Sequence, residues 1–285
     1  MARRSSRTTP TPCLDQATRK TIDLLRDAVY SHFDEHGRDL PWRKTSEPYH
    51  ILVSEVMLQQ TQVDRVIPKY VSFIRRFPDF ASLASASSSE VLGEWQGLGY
   101  NRRALSLQRA AKTVMKDHGG VLPMDKATLM KLPGIGDYSA SAIRAFAFNQ
   151  PDAFIETNIR AVFIHHFFPA SVGVTDAQLL PVVEAAIDRG NPGRWYQALM
   201  DYGVMLKQQD NASRRSAHHR PQCRFQGSRR QARGEILRIL LERRTLAPDS
   251  LRAAIAAWDG RFEDALSAML KEGVVTERAG EYGLD

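Results

Sequence analysis

LPGIGDYSASAI, residues 132–143, decides the reading of the fold. Gly134 and Gly136 stand in a tight turn between a helical segment ending near Lys131 and another beginning near Tyr138. Without a Cβ at either glycine, backbone N–H groups can approach an anion closely, and the positive end of the following helix adds attraction. A nucleic-acid phosphate fits such a turn, which makes Leu132, Gly134, Ile135 and Gly136 candidate binding positions. The plain alternative is an ordinary turn between two helices.

Working outward, residues 47–147 break into short amphipathic segments separated by Pro or Gly, at roughly 63–77, 87–95, 102–117, 125–131 and 138–148, with almost no strand-like alternation. Pro48 suits the first turn of a helix through Ile51, Leu52, Glu55, Val56, Leu58 and Gln59, so Glu55 falls inside an apolar run. Before this block, Ile22, Leu24, Leu25, Val29 and Phe33 keep helical spacing from Thr21 until Gly37 stops it. After it, 156–207 is again helical. Residues 213–231 are rich in arginine, hold His218 and His219, and contain no acidic residue, a run expected not to pack internally. From Arg233 onward three helices are expected, followed by two short strands joined at Ala279 and Gly280, a winged-helix-like pattern. The organisation expected is a flexible basic tail over 1–20, one helical domain from 21–46 plus 148–212, a six-helix domain over 47–147, a basic loop over 213–231, and the module 232–285.

The chain has 285 residues, enough for two modest domains, and a formal net charge of +7 that suggests a polyanionic partner. Its two cysteines, Cys13 and Cys223, cannot build a disulfide framework or a four-thiolate site. The start MARRSSRTTPTPC lacks the apolar run of a signal peptide, and no stretch is apolar for long enough to span a bilayer. A cytosolic protein without a membrane partner is expected.

Residues 40–205 resemble the endonuclease III and MutY superfamily of helix-hairpin-helix DNA glycosylases. LPWR at 40–43, PYHILVSEVMLQQTQV at 48–63, WQGLGYNRRA at 95–104 and LPGIGDYSASAI look like successive MutY signatures in order. The resemblance implies a mainly α, two-domain helix-hairpin-helix fold acting as a monomer on double-stranded DNA that carries a mispaired or damaged base, in a bacterial-type cytosol or nucleoid. It gives Glu55 the proton delivered to the leaving adenine. Breaking an N-glycosidic bond expels a poor leaving group and builds positive charge on the sugar, so a proton donor and a nearby anion are both needed. The apolar neighbours in SEVML suit a carboxyl that holds its proton.

The family usually places aspartate and glycine where this chain has Glu156 and Thr157. Charge is kept and reach is altered, so Glu156 is read as the charge-stabilising group, with helix capping or an altered substrate as the other readings. Asn158 matches a family asparagine and would orient this loop. Lyases of the superfamily carry lysine at position 138; the phenol of Tyr138 cannot form a Schiff base, which implies a monofunctional enzyme that leaves the abasic site intact. Gln59, Gln60 and Tyr100 match positions that wedge into the vacated stack, Thr61 is a further candidate for DNA binding, and Arg102 and Arg103 are candidate phosphate contacts that would look the same as solvated helix arginines.

Most relatives continue into four cysteines that hold an iron-sulfur cluster. Only Cys223 lies in that region here, so no cluster and no other cofactor is expected. Arg214, Arg215 and Arg220 would supply the phosphate contacts instead. His218 and His219 beside Cys223 make three candidate zinc ligands without a clear fourth, too few for a site. The expectation is therefore monofunctional removal of adenine opposite 8-oxoguanine or guanine. Its rivals are removal of mismatched thymine, uracil or another damaged base, and binding of damaged DNA without turnover.

Overall fold

The first helix, α1 (Gln16–His36), opens a computed structural model that describes residues 15–220, 224–256 and 258–284. The readings for residues 1–14 and Pro221–Cys223, both cysteines included, lie outside these. Asp15 accepts the Thr18 amide at 2.7 Å and caps α1, so residues 16–20 are helix and not tail. A side chain that caps its own helix needs no apolar periodicity, which is why the pattern pointed to Thr21.

Next come α2 (Pro48–Leu58), α3 (Val63–Arg76), α4 (Phe80–Ser85), α5 (Ser88–Trp95), α6 (Arg102–His118), α7 (Lys126–Leu129) and α8 (Asp137–Phe148). They are followed by α9 (Thr157–Phe167), α10 (Asp176–Ala186) and α11 (Pro192–Gln209). The last elements are α12 (Arg229–Arg243), β1 (Thr245–Leu246), α13 (Pro248–Ala253), α14 (Gly260–Lys271), β2 (Thr276–Arg278) and β3 (Glu281–Gly283). Among the described residues no helix is long and apolar enough to cross a membrane.

The chain divides into two units, Met1–Asp39 with Arg144–Arg220, and Leu40–Ile143 with Pro221–Asp285. Residues 40–46 fall in the second because Trp42 is buried edge-on to Tyr70 of α3, at 5.4 Å between rings. Residues 144–147 fall in the first, where Arg144 forks onto Asp152 at 2.6 and 3.1 Å.

In the first unit α11 packs against α1 and α9. Gly203 allows that approach: a Cβ there would lie 2.5 Å from the Asn158 carbonyl oxygen. Arg26 of α1 reaches the carbonyls of Ala186 and Ile187 at 3.1 and 3.0 Å and so satisfies the end of α10. Buried Asp201 takes the Arg38 amide at 2.9 Å and its Nε at 2.7 Å. The basic run does pack at its start. Ser213 and Ser216 are buried, Val174 bridges Ser216, and Arg215 donates to the carbonyls of Phe168 and Pro169. Carbonyls left open by the preceding turns, rather than apolar partners, draw this polar stretch inward.

In the second unit α2 is enclosed, with every residue from Ile51 to Met57 buried. A helix buried on all sides belongs in the middle of a bundle, and here two of its buried residues, Ser54 and Glu55, are polar. Glu47 caps it by accepting the His50 amide at 3.0 Å, and Pro48 fills the first turn. Helix α4, absent from the periodicity reading, is one and a half turns held by an Asp79–Ser82 capping box and packed on α6. The carboxy-terminal segment joins the same unit: α12 packs on α14 and buries Leu237 and Leu240, and Leu241 lies where a Cβ on Gly93 of α5 would meet it at 3.7 Å. Among the described residues three short strands, not two, form an antiparallel sheet in the order β1-β3-β2, with Thr245 and Thr276 both opposite Gly283. β1 is two residues long, below the length at which alternation shows. Ala279 and Gly280 both take positive φ, as a two-residue hairpin turn requires.

Candidate functional site

Glu55 lies on the third residue before the end of α2 and is 6 % exposed. Where α2 stops, Gln59 donates from Nε2 to Ser139 Oγ at 3.1 Å. Ser139 is buried in the first turn of α8, directly after the half-buried Tyr138. One side-chain bond thus ties the helix that carries Glu55 to the helix that leaves the glycine turn.

The glycine turn is seated by the buried side chains of Leu132 and Ile135, and the Ile135 amide closes it onto the Leu132 carbonyl at 3.1 Å. Gly134 has φ 84°, and a Cβ there would meet Ser106 Cβ of α6 at 2.9 Å, so conformation and space both demand glycine. Gly134 and Gly136 are exposed, and Lys126 pairs with Asp137 across the turn at 2.8 Å.

A second loop, 96–101, lies beside the 59–62 loop, with the Thr61 hydroxyl 3.5 Å from the Leu98 carbonyl. Gln60 is exposed with φ 56°, and Tyr100 is 38 % exposed with φ 50°. Both are non-glycine residues in the left-handed region, a conformation that costs about 1–2 kcal/mol per residue. A cleft of about 720 Å³ opens among Gln59, Gln60, Thr61, Tyr100 and Arg102 on one side and Phe225 and Leu237 on the other. Arg102 is exposed. Arg103, read from the sequence as a phosphate contact, is turned inward: Nη1 donates to the carbonyls of Val56, Met57 and Gln59 at 2.8, 2.9 and 2.6 Å. Its Nη2 donates to Thr61 Oγ1 at 2.9 Å and to the carbonyls of Leu98 and Gly99 at 3.4 and 3.0 Å. The open carbonyls at the end of α2 and in the two loops claim the guanidinium that a phosphate was expected to claim.

The remaining sequence-predicted residues belong to the first unit. Glu156 caps α9: Oε1 accepts the amides of Asn158 and Ile159 at 2.7 and 2.8 Å, and Oε2 accepts Asn158 Nδ2 at 3.2 Å. Lys207 Nζ donates to Asn158 Oδ1 at 2.9 Å and completes a carboxylate, amide and ammonium chain. Burial raises the Glu156 pKa, against the pull of the two amides and then of Lys207 and Arg160. Arg214 and Arg220 are exposed. Arg215 is not available to a phosphate in the way expected, since its guanidinium is held by two carbonyls and stands 3.6 Å from Asp210.

Sequence reasoning missed Ser139, Lys207 and the cleft wall from Phe225 and Leu237. Ser139 carried a signal, being one residue past the position that separates the two chemistries; the others depend on contacts between segments remote in sequence. Among the described residues no group of three or more His, Cys, Asp or Glu could hold a metal ion.

Comparison with known proteins matches residues 53–191 to the HhH-GPD superfamily of base excision DNA repair proteins. The adenine DNA glycosylase of Mycolicibacterium smegmatis is 32% identical over 285 residues, covering 90% of this chain and 94% of that protein. The adenine DNA glycosylase of Buchnera aphidicola subsp. Baizongia pistaciae is 35% identical over 181 residues, 62% of this chain; the chain spans half of that protein's length. A solved thermostable thymine-DNA glycosylase superposes with a TM-score of 0.62 at 27% identity, covering 67% of this chain and 89% of that one.

Proposed function

Because this chain belongs to the adenine DNA glycosylase family of the HhH-GPD base excision repair superfamily, we propose that it hydrolyses the bond between deoxyribose and an adenine mispaired with 8-oxoguanine or guanine. The observation that carries the reading is the burial of Glu55 on a helix whose end is bonded, through Gln59 and Ser139, to the helix following the glycine turn. That arrangement suits a carboxyl working on an extruded base while the turn grips the backbone beside it.

In the proposed sequence Gln60 and Tyr100 enter the stack as the adenine leaves it. Glu55 gives its proton to the adenine, the C1′–N9 bond breaks with its electron pair going to the base, and positive charge grows on the sugar. The Glu156 carboxylate stabilises that charge. The Glu55 carboxylate then takes a proton from water as the water's oxygen bonds to C1′, leaving an abasic site and free adenine. Tyr138 offers no amine, so the strand stays intact. Arg102, Arg214 and Arg220 hold phosphates of double-stranded DNA, and the protein acts as a monomer. The segment from α12 to β3 is winged-helix-like, as its succession of helices and a hairpin suggests. No iron-sulfur cluster is part of this reading, since two cysteines cannot supply four thiolates.

A second reading keeps the chemistry and changes the base to mismatched thymine. It is favoured by Glu156 and Thr157, which depart from the family's usual residues, and by the thymine-DNA glycosylase likeness. Labelled duplexes carrying adenine, thymine, uracil or a damaged base in defined mispairs, treated with protein and then alkali, separate the two. Adenine release opposite 8-oxoguanine or guanine is expected, without strand breaks before alkali. Release from thymine mispairs alone would replace the first reading with the second, and absence of any product would remove both.

A further inference from the structure

Arg103 is a cation half-buried among oxygens that carry no formal charge. Its partners are five carbonyls and one hydroxyl, with the rings of Trp95 and Tyr100 at 5.3 and 5.5 Å from the guanidinium carbon. Burial holds its pKa down to about 10, so it stays charged at neutral pH, and its Nε is buried without a partner. A buried cation with no carboxylate and one orphaned donor is a poor device for stability alone.

The choice of carbonyls is informative. Nη1 holds the oxygen of Gln59 and Nη2 that of Gly99. These belong to the peptide planes immediately preceding Gln60 and Tyr100, the two left-handed non-glycine residues of the cleft rim. Fixing the plane before a residue fixes one side of its φ rotation, and strained backbone persists only where its surroundings over-determine it. The same Nη1 also meets Val56 and Met57 at the open end of the Glu55 helix.

We propose that Arg103 is a positioning residue that holds Gln60 and Tyr100 in their left-handed conformations and thereby sets the two wedges at a fixed distance from the helix carrying Glu55. This rests on the reading that the chain extrudes a base from DNA. Arg103 touches neither base nor phosphate in this role; it governs extrusion rather than bond breaking. Lysine cannot replace it, because one ammonium cannot span carbonyls that the planar fork divides between two nitrogens.

The test uses the full chain and Arg103→Lys on mispaired duplexes. With 2-aminopurine, a fluorescent adenine analogue, at the target position, the emission rise on saturating protein should fall at least about fivefold in the variant. Adenine excision from a mispair should fall about 100-fold, as expected for an ångström-scale misplacement, yet by less than about threefold when adenine faces an abasic-site analogue, where little must be unstacked. Amide exchange at Thr61 and Asn101 should quicken at least about tenfold, with α14 unchanged. An undiminished emission rise, or an equal loss on both duplexes, would overturn the proposal. If Arg103→Lys does not fold, Thr61→Val removes one acceptor and keeps the shape; it should roughly halve the emission rise with an unshifted melting temperature, and an unchanged rise is again contrary. Emission and exchange need no bond cleavage, so a protein that releases no base defeats the proposed function while still answering this question.

Discussion

The surroundings of Glu55 and Glu156 differ in where helical backbone offers hydrogen-bond donors. Glu55 stands late in α2, where the backbone amides are already used within the helix, and its side chain is buried. Glu156 stands at the start of α9, where two open amides point at its carboxylate and Lys207 closes the chain through Asn158. In the proposed reading the first carboxyl hands over a proton, and the second faces the charge on the sugar, its amides opposing the upward pull of burial on its pKa. On that reading two acids of one kind serve different steps from different places along a helix.

The largest effect follows from removing the proton. Glu55→Gln should lower single-turnover excision by about 10³- to 10⁴-fold while leaving affinity for mispaired DNA within about threefold. Retained turnover would break the contrast at once.

Next, Glu156→Gln should lower excision by about 100-fold, less than the loss at Glu55, because it removes charge stabilisation and not the proton donor. Its pH signature should be distinct. Burial raises the folded pKa of Glu156, so its contribution to stability is fully present below the ordinary value near 4.5 and is lost as pH rises through the raised one. The glutamine variant should flatten that decline in a pH series of thermal melts. Glu156→Ala also loses the cap and should cost about 1 kcal/mol of stability besides.

Arg214→Ala with Arg220→Ala should reduce the slope of log affinity against log salt by about 2, roughly 0.9 for each phosphate lost. Arg215→Ala should instead lower the melting temperature by a few degrees, because its guanidinium holds Phe168 and Pro169. Equal salt effects at all three would return Arg215 to the DNA surface.

The smallest effect concerns His166, stacked on Tyr202 with Nε2 3.2 Å from its hydroxyl. Burial, and then neighbouring His165, lower its pKa to about 4. Above about pH 6.5 both states are neutral and the contribution is complete; between 6.5 and 4 the unfolded chain takes up the proton first and stability falls. His166→Gln should remove that acid sensitivity, read as a melting curve one or two degrees flatter across the window. No difference would mean that the histidine is solvated.

Much of the second unit was legible because its signals are local. Pro48 in a first turn, the buried SEVML run and the turn around Gly134 and Gly136 each show their local structure within a few residues. Helix α4 and strand β1 escaped because they are too short for a period to repeat. The direction of Arg103 escaped for another reason. Its acceptors come from residues 56–61 and 98–99, and nothing in an Arg-Arg pair tells which guanidinium turns inward. Ser213 and Ser216 show the same limit, since a composition that reads as solvated is drawn in by unmet carbonyls. Glu156 was legible as a carboxylate near its family position, whereas its partnership with Lys207 needed α11 folded against α9.

Gly203 carries a consequence for inheritance. Every single-base change in a glycine codon that alters the residue installs a Cβ, and at this position that atom would collide with the Asn158 carbonyl, two residues from Glu156. A lesion 47 positions downstream of the acid, on a helix remote from it in sequence, would therefore disturb the start of α9 and read in a genetic screen as a change at Glu156 itself.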